Sequence, residues 1–294
     1  MAEDRADVLT VSGLDCFYGE VQVLHGLDLA LRKGEVLCLF GRNGAGKTTT
    51  LKAIMGLAPA RSGSIRLDGR ELKGLPPHEV PKAGVAYVPQ GRRLFAEMTV
   101  AENIYLGREP SGRFGSIDFK TMNDRAQALL DDLEFNISAK QFMMNLSVAE
   151  VQLVEIAKAL SHDAEVIFMD EPTSAIGEKE AQHLFSAVER LKASGKGIVY
   201  VSHRLSEIFQ IADSYTVFRD GGFVGSGALD QIDRQGLIRM IVGRELGEEY
   251  FKTNTPTETA GLEVSGLTLP GKISDISFTA NKGEIFGIYG LMGS

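Results

Sequence analysis

Residues 41–49 read GRNGAGKTT, and their reading decides the fold. The stretch satisfies GxxxxGK[ST] with Gly41, Gly44, Gly46, Lys47 and Thr48. The preceding run EVLCLF has the apolar character of a buried strand, and the following TTLKAIMG continues as a helix. Glycines at these positions let backbone N–H groups turn inward around phosphate oxygens, and the helix start adds the positive end of its dipole. Lys47 then reaches the outer phosphates, and the Thr48 hydroxyl is an oxygen donor for Mg²⁺.

Two further apolar strands end in groups that such a loop needs. In AEVIFMDEPTS (164–174) four apolar residues, Val166 to Met169, precede Asp170 and Glu171, the pattern of a buried parallel strand finishing in two carboxylates. Asp170 is expected to hold Mg²⁺, directly or through water, and Glu171 to polarise the attacking water. GKGIVYVSH (195–203) ends at His203, which in a nucleotide site can donate to the terminal phosphate as charge develops there. His25, His78, His162 and His183 show no paired metal spacing and read as surface or packing residues.

Composition narrows the classes. Thirty-one Lys and Arg against 39 Asp and Glu leave a net charge of -8, which speaks against nucleic acid as a partner. Cys16 and Cys38 do not make a disulfide framework, and Cys38 within VLCLF reads as a small buried hydrophobe. The acidic start MAEDRADVLT lacks an apolar signal core, and no apolar run approaches the ~20 residues that span a bilayer, so a cytoplasmic location is expected.

The chain repeats itself. LTVSGL (9–14) recurs as LEVSGL (262–267), and the segment from Leu29 to Ala45 recurs within 277–294 as SFTANKGEIFGIYGLMGS. The offset is 253 in the first match and 249 in the second, so the second copy is shorter between them. Gly290 and Gly293 are spaced like the first glycines of a second phosphate loop. The charged, Thr- and Pro-containing stretch between the copies reads as a linker. The expected organisation is a first domain over 8–245, a linker over 246–261 and the opening of a second domain over 262–294.

The ordered set of Gly41 to Thr49, YVPQGRRLF (87–95), LSVAEVQLVEIAKAL (146–160), IFMDEPTSAIG (167–177) and VSHR (201–204) resembles the ABC ATPase family. The partial duplication and the phrase MTVAENIYLGREP (98–110) resemble the ATPases of bacterial carbohydrate importers, which fuse two nucleotide-binding domains in one chain. On that resemblance this sequence is similar to a tandem protein cut off inside its second phosphate loop. The resemblance implies an α/β fold: a P-loop NTPase with a RecA-like core, an antiparallel β subdomain and an inserted helical subdomain over about 91–155. It implies ATP and Mg²⁺ as cofactors, with Asn43 and Thr49 joining the phosphate loop, Tyr18 stacking on adenine, and Gln90 touching both Mg²⁺ and water.

Ser147 stands in the signature motif that faces a partner's nucleotide, but LSVAE replaces the usual Leu-Ser-Gly-Gly-Gln, and Gly177 stands where the family has Asp. From the residues alone, Ser147 and Glu150 form an S-x-x-E capping box opening a helix with Val151, Val154 and Leu160 as its apolar stripe. The implied partners are integral-membrane permease subunits, a periplasmic or extracellular sugar-binding protein, and a second ABC domain or a homodimer partner. The implied location is peripheral on the inner face of the cell membrane. Import of branched-chain amino acids, a soluble ABC ATPase and a non-hydrolysing remnant are the alternatives. Arg92 and Arg93 read as a solvated charged face.

Local patterns place strands near 8–15, 22–31 and 35–40, a helix over 47–55, and a strand and turn in GSIRLDGREL. A helix over 119–133 aligns Phe119, Met122, Ala126, Leu129, Leu130 and Leu133, and another aligns Leu184, Val188 and Leu191. A hairpin turns at Asp220 and Gly221, ahead of a last helix over 233–242.

Overall fold

The computed structural model describes residues 6–91, 94–112, 115–243, 255–271 and 273–289. Arg92, Arg93, Gly290, Gly293 and most of the expected linker lie outside them. The chain divides into two compact units, Met1–Arg244 and Glu245–Ser294.

The first unit is built on two sheets. Strands β1 (Asp7–Tyr18), β2 (Val21–Arg32), β4 (Ala60–Leu67) and β5 (Arg70–Glu71) form an antiparallel sheet in the order β2-β1-β4-β5. Strands β3 (Val36–Phe40), β6 (Val85–Val88), β7 (Val166–Asp170), β8 (Gly197–Val201), β9 (Ser214–Arg219) and β10 (Gly222–Ala228) form the second sheet, ordered β10-β9-β3-β8-β7-β6. All its pairings are parallel except the β9–β10 hairpin. Strands β3, β7 and β8 are buried at every residue, which is why their sequences are continuous apolar runs rather than alternating ones. The β9–β10 turn has Asp220 at φ 51° and Gly221 at φ 78°, two successive left-handed residues suited to the twist of a two-residue hairpin.

Seven helices are described: α1 (Lys47–Ile54), α2 (Val100–Tyr105), α3 (Phe119–Asp132), α4 (Val148–Leu160), α5 (Glu178–Ala193), α6 (Leu205–Ile211) and α7 (Arg234–Val242). Helices α2 to α4 fall between β6 and β7 as the helical insertion. Their buried residues, among them Ile104, Met122, Leu130 and Val154, share one apolar cluster with Ile167 and Met169 of β7 and Leu184 of α5. The insertion is thus anchored on the main sheet through common packing. Its helical stretch continues past residue 155, because α4 runs on to Leu160.

Two packing expectations change. Phe119 is exposed while Met122, Ala126 and Leu130 are buried, since it is the first residue after the Asp118 N-cap and its turn projects beyond the core. Helix α4 buries Gln152, Leu153, Val154, Glu155, Ile156, Ala157 and Ala159 rather than a narrow stripe, whereas Val151 and Leu160 are only partly buried. It is covered on most sides. Cys16 and Cys38 are free and buried, and burial pushes the Cys38 thiol well up, as suits a packing residue.

The second unit contains one antiparallel ribbon, β11 (Ala260–Leu269) with β12 (Ile273–Asn281). Its register repeats that of β1–β2 pair for pair. Leu9↔Leu31, Val11↔Leu29 and Leu14↔Leu27 in the first ribbon correspond to Leu262↔Ala280, Val264↔Phe278 and Leu267↔Ile276 in the second. The irregularities recur too: Gly13 and Gly266 have φ of 58° and 60°, and Gly26 and Asp275 have 56° and 53°. The Gly13 N–H donates to Asp28 at 2.8 Å, and the Gly266 N–H donates to Ser277 at 2.9 Å. The Arg32 N–H donates to Glu35, and the Asn281 N–H to Glu284, both at 2.7 Å.

Candidate functional site

The site forms where β3, β7 and β8 end side by side. β3 delivers the loop 41–46, and α1 begins at Lys47. Two glycines are required by the backbone. A Cβ on Gly41 would lie 2.5 Å from the Phe218 carbonyl oxygen, and Gly46 sits at φ 102° with Leu24 2.6 Å from where a Cβ would be. The Thr50 N–H donates to the Gly46 carbonyl at 2.8 Å, so the helix is hydrogen-bonded from the last loop residue onward. The Lys47 ammonium donates to the carbonyls of Gly41 at 2.7 Å and Arg42 at 3.2 Å, which holds it over the loop. Its burial lowers the ammonium pKa, while Glu171 and Asp170 pull it back up.

Asp170, the last residue of β7, is fully buried and accepts from Thr48 Oγ1 at 3.3 Å and from the Tyr87 hydroxyl at 3.4 Å. Burial raises its pKa, and those two contacts oppose the rise. A carboxylate in this position is stabilised by a cation. The donors around it, the Thr48 hydroxyl and the Gln90 amide, are hard oxygens of the kind Mg²⁺ takes alongside phosphate and water. Among the described residues no three His, Cys, Asp or Glu side chains gather as a metal cluster. A cation here would rest on this one carboxylate and its oxygen neighbours.

Glu171 follows at φ 54°, a left-handed conformation uncommon for a residue with a side chain. Its N–H donates to the Val201 carbonyl at 2.9 Å, which ties the end of β7 to the end of β8. That tie brings the Glu171 carboxylate to 2.7 Å from His203 Nδ1. The Glu171 side chain is 13% exposed and that of His203 is 69% exposed, so the carboxylate lies inside and the imidazole at the surface.

One cavity of ≈ 340 Å³ is lined by Asn43, Gly44, Gly46, Lys47, Thr48, Thr49, Gln90, Asp170 and Glu171, with Val23, Ala45 and Val201 completing its wall. Gly41 touches it through Lys47, and His203 through Glu171. Gly41 and His203 are themselves outside the lining, and so are two further expected residues, Tyr18 and Ser147. Tyr18 is half exposed at the end of β1, opposite Val21. Ser147 is the N-cap of α4, accepting from the Glu150 N–H at 3.3 Å while its own N–H donates to Glu150 Oε2 at 2.7 Å. The capping box forms with both of its hydrogen bonds present. Tyr87 was not anticipated. Its place in AYVPQ, near the end of β6 and three residues ahead of Gln90, is the signal that could have pointed to it.

A family model described as "ABC transporter" matches residues 24–174. A protein of Pseudomonas fluorescens, named for ATP binding in ribose, galactose and methyl galactoside import, is 46% identical over 100% of this chain and 57% of its own length. A ribose import ATP-binding protein of Caldanaerobacter subterraneus is 40% identical over 98% of this chain and 58% of its own. The chain therefore spans little more than half the length of these relatives. A solved ATP-binding subunit of an ABC transporter matches with a TM-score of 0.65 at 26% identity, covering 82% of this chain and 95% of that one. A cassette solved in its ADP conformation shares the fold at a TM-score of 0.69. With the phosphate loop, the paired carboxylates and the strand order in place, the family match assigns the chain: it belongs to the ABC transporter family.

Proposed function

We propose that the chain binds and hydrolyses Mg·ATP and that this energises a bacterial importer of a sugar. The observation that carries the reading is the convergence of Lys47, Thr48, Gln90, Asp170 and Glu171 on one cavity at the carboxyl ends of parallel strands. Phosphates would be held by the loop N–H groups and Lys47. Mg²⁺, held by Thr48, Asp170 and Gln90, would supply charge neutralisation between the outer phosphates. Glu171 accepts a hydrogen bond from the attacking water, and its contact with His203 fixes the carboxylate toward the cavity. His203 donates to the terminal phosphate, and Tyr18 offers its exposed ring to adenine. The sugar, of the ribose or galactose kind, is supported by the names of the relatives. Such an importer works through membrane permeases and an external binding protein, with this chain on the cytoplasmic face. Among the described residues no helix is long and apolar enough to cross a membrane.

The second unit is read as the opening of a second ABC domain, which the pair-for-pair repetition of the ribbon register supports. Ser147 would then face a nucleotide on a partner domain. A non-hydrolysing role is favoured by one observation: Val148 is exposed at the start of α4, where its side chain blocks the close backbone approach a glycine permits. Measuring Mg·ATP hydrolysis against protein concentration separates the two. Turnover that rises faster than linearly with concentration and vanishes in Lys47→Ala supports a paired, working site. Nucleotide binding without turnover at any concentration supports the second reading. Glu171→Gln is expected to keep ATP binding and lose turnover by a factor of ~10² or more, and unchanged turnover would remove Glu171 from its role.

A further inference from the structure

We infer that Glu207, which does not reach the cavity, is a positioning residue that locks the Glu171 turn to the His203 turn. It is the third residue of α6 and is buried. Its Oε2 accepts from Thr173 Oγ1 at 2.8 Å and from Ser202 Oγ at 3.0 Å, with the Tyr200 hydroxyl at 3.4 Å. Its Oε1 accepts from the Arg204 guanidinium at 3.1 Å. The Ser202 hydroxyl in turn accepts from the Arg204 N–H at 3.0 Å. One carboxylate thus holds both neighbours of His203 and, on the other side, the turn that begins at Glu171.

That turn is itself closed by hydrogen bonds from the Ser174 N–H to the Glu171 carbonyl and from the Ile176 N–H to the Thr173 carbonyl. Fixing Thr173 therefore fixes the turn that keeps Glu171 at its positive φ. The arrangement needs an acceptor-only group with charge. Four donors converge on the two oxygens of Glu207, and a carboxylate accepts all of them, whereas an amide would set its own N–H groups against one of the donors. A hydrogen-bonded network of this kind, buried apart from the part-exposed Arg204 guanidinium, is rigid, and rigidity here transfers to the Glu171–His203 contact. Ile208 and Ile211 bury the apolar face of α6, so Glu207 is the buried charged side chain of that helix.

The consequence for turnover rests on the function proposed above, but the positional claim is tested without it. In the full chain, the His203 imidazole ¹H–¹³C signal, identified by its loss in His203→Gln, is recorded without nucleotide in wild type, Glu207→Gln and Glu207→Ala. The signal is expected to shift or broaden, more in Glu207→Ala than in Glu207→Gln. ATP affinity should stay within about twofold, because Glu207 touches no residue of the phosphate loop, while turnover falls about tenfold to a hundredfold from misplacement of the reacting groups. A His203 signal that coincides with wild type in cooperatively folded Glu207→Ala overturns the inference, whatever turnover does. If Glu207→Ala does not fold, Thr173→Ala and Ser202→Ala each remove one strap. A displaced His203 signal in either supports the lock, and wild-type signals in both overturn it. A wild-type chain without turnover would defeat the proposed function yet leave the spectroscopic result standing.

Discussion

Leu14 and Leu267 hold the same register position in two ribbons that repeat each other's pairs, bulges and side-chain hydrogen bonds, yet Leu14 is 0% exposed and Leu267 48%. The ribbons differ in what lies over them. β1–β2 is joined by β4 and packs its leucines against Leu37 and Leu39 of β3 and Leu51 and Ile54 of α1. Among the described residues β11–β12 has no third strand. The difference extends past the ribbon. Val36–Phe40 is a central strand hydrogen-bonded to β8 on one side and β9 on the other. Its counterpart Ile285–Tyr289 has no regular structure, and Ile288 and Tyr289 are almost fully exposed. An antiparallel ribbon makes its hydrogen bonds within one hairpin. A parallel strand takes them from segments far away in sequence, so its own residues do not suffice to form it.

This comparison is most sharply tested by matched substitutions. Leu14→Ala should destabilise the first unit by about 2–5 kcal/mol, the cost of lost burial plus a cavity. Leu267→Ala should change stability by less than about 0.5 kcal/mol. Urea unfolding midpoints of the two variants measure both. Equal costs would break the comparison and mean that the second ribbon is covered in solution.

A pH series separates the units next. All five histidines lie in the first unit, and burial with the positive charges of Arg108 and Lys158 pushes His162 down from 6.5 to about 4. The unfolded chain takes up that proton below pH 6.5 while the folded chain resists it until about pH 4. The stability held at neutral pH is therefore lost as pH falls through this window. His162→Gln should flatten that acid limb by on the order of 1 kcal/mol, after allowing for solvent screening of a half-buried group. The readout is the thermal midpoint of each protein between pH 7 and pH 4. A limb unchanged by the substitution would place the titration elsewhere.

The smallest effects come from the shared bulge. Asp28→Ala and Ser277→Ala each remove the acceptor of one exposed backbone N–H, from Gly13 and Gly266 respectively. Each should cost a few tenths to about 1 kcal/mol. Faster amide hydrogen exchange at Gly13 and Gly266 would register the loss, and unchanged exchange at either would show that its bulge is held by other bonds.

What was legible in the sequence was local. The phosphate loop declared itself because its glycines and the Lys-Thr pair sit within a few residues of one another. Asp170 and Glu171 followed from a short apolar run that reads as a buried strand. The Ser147–Glu150 capping box and the Asp220–Gly221 turn were readable for the same reason, since each is closed by bonds that span only a few residues. The ribbon repeat was readable because pairing in a hairpin follows from its own turn and alternation.

Tertiary structure decided the rest. Glu171 meets His203 across 32 residues and Asp170 meets Thr48 across 122, distances that periodicity does not encode. The order β3-β8-β7 brings those strand ends together, and it also places Tyr87 on Asp170 and Glu207 beneath both turns. It leaves Tyr18, assigned by resemblance, and Ser147, set in a signature that departs from the usual form, outside the cavity lining. The fate of Leu14 and Leu267 has the same cause. Local conformation is written residue by residue, whereas burial and long-range contact depend on which distant segments pack over a given face.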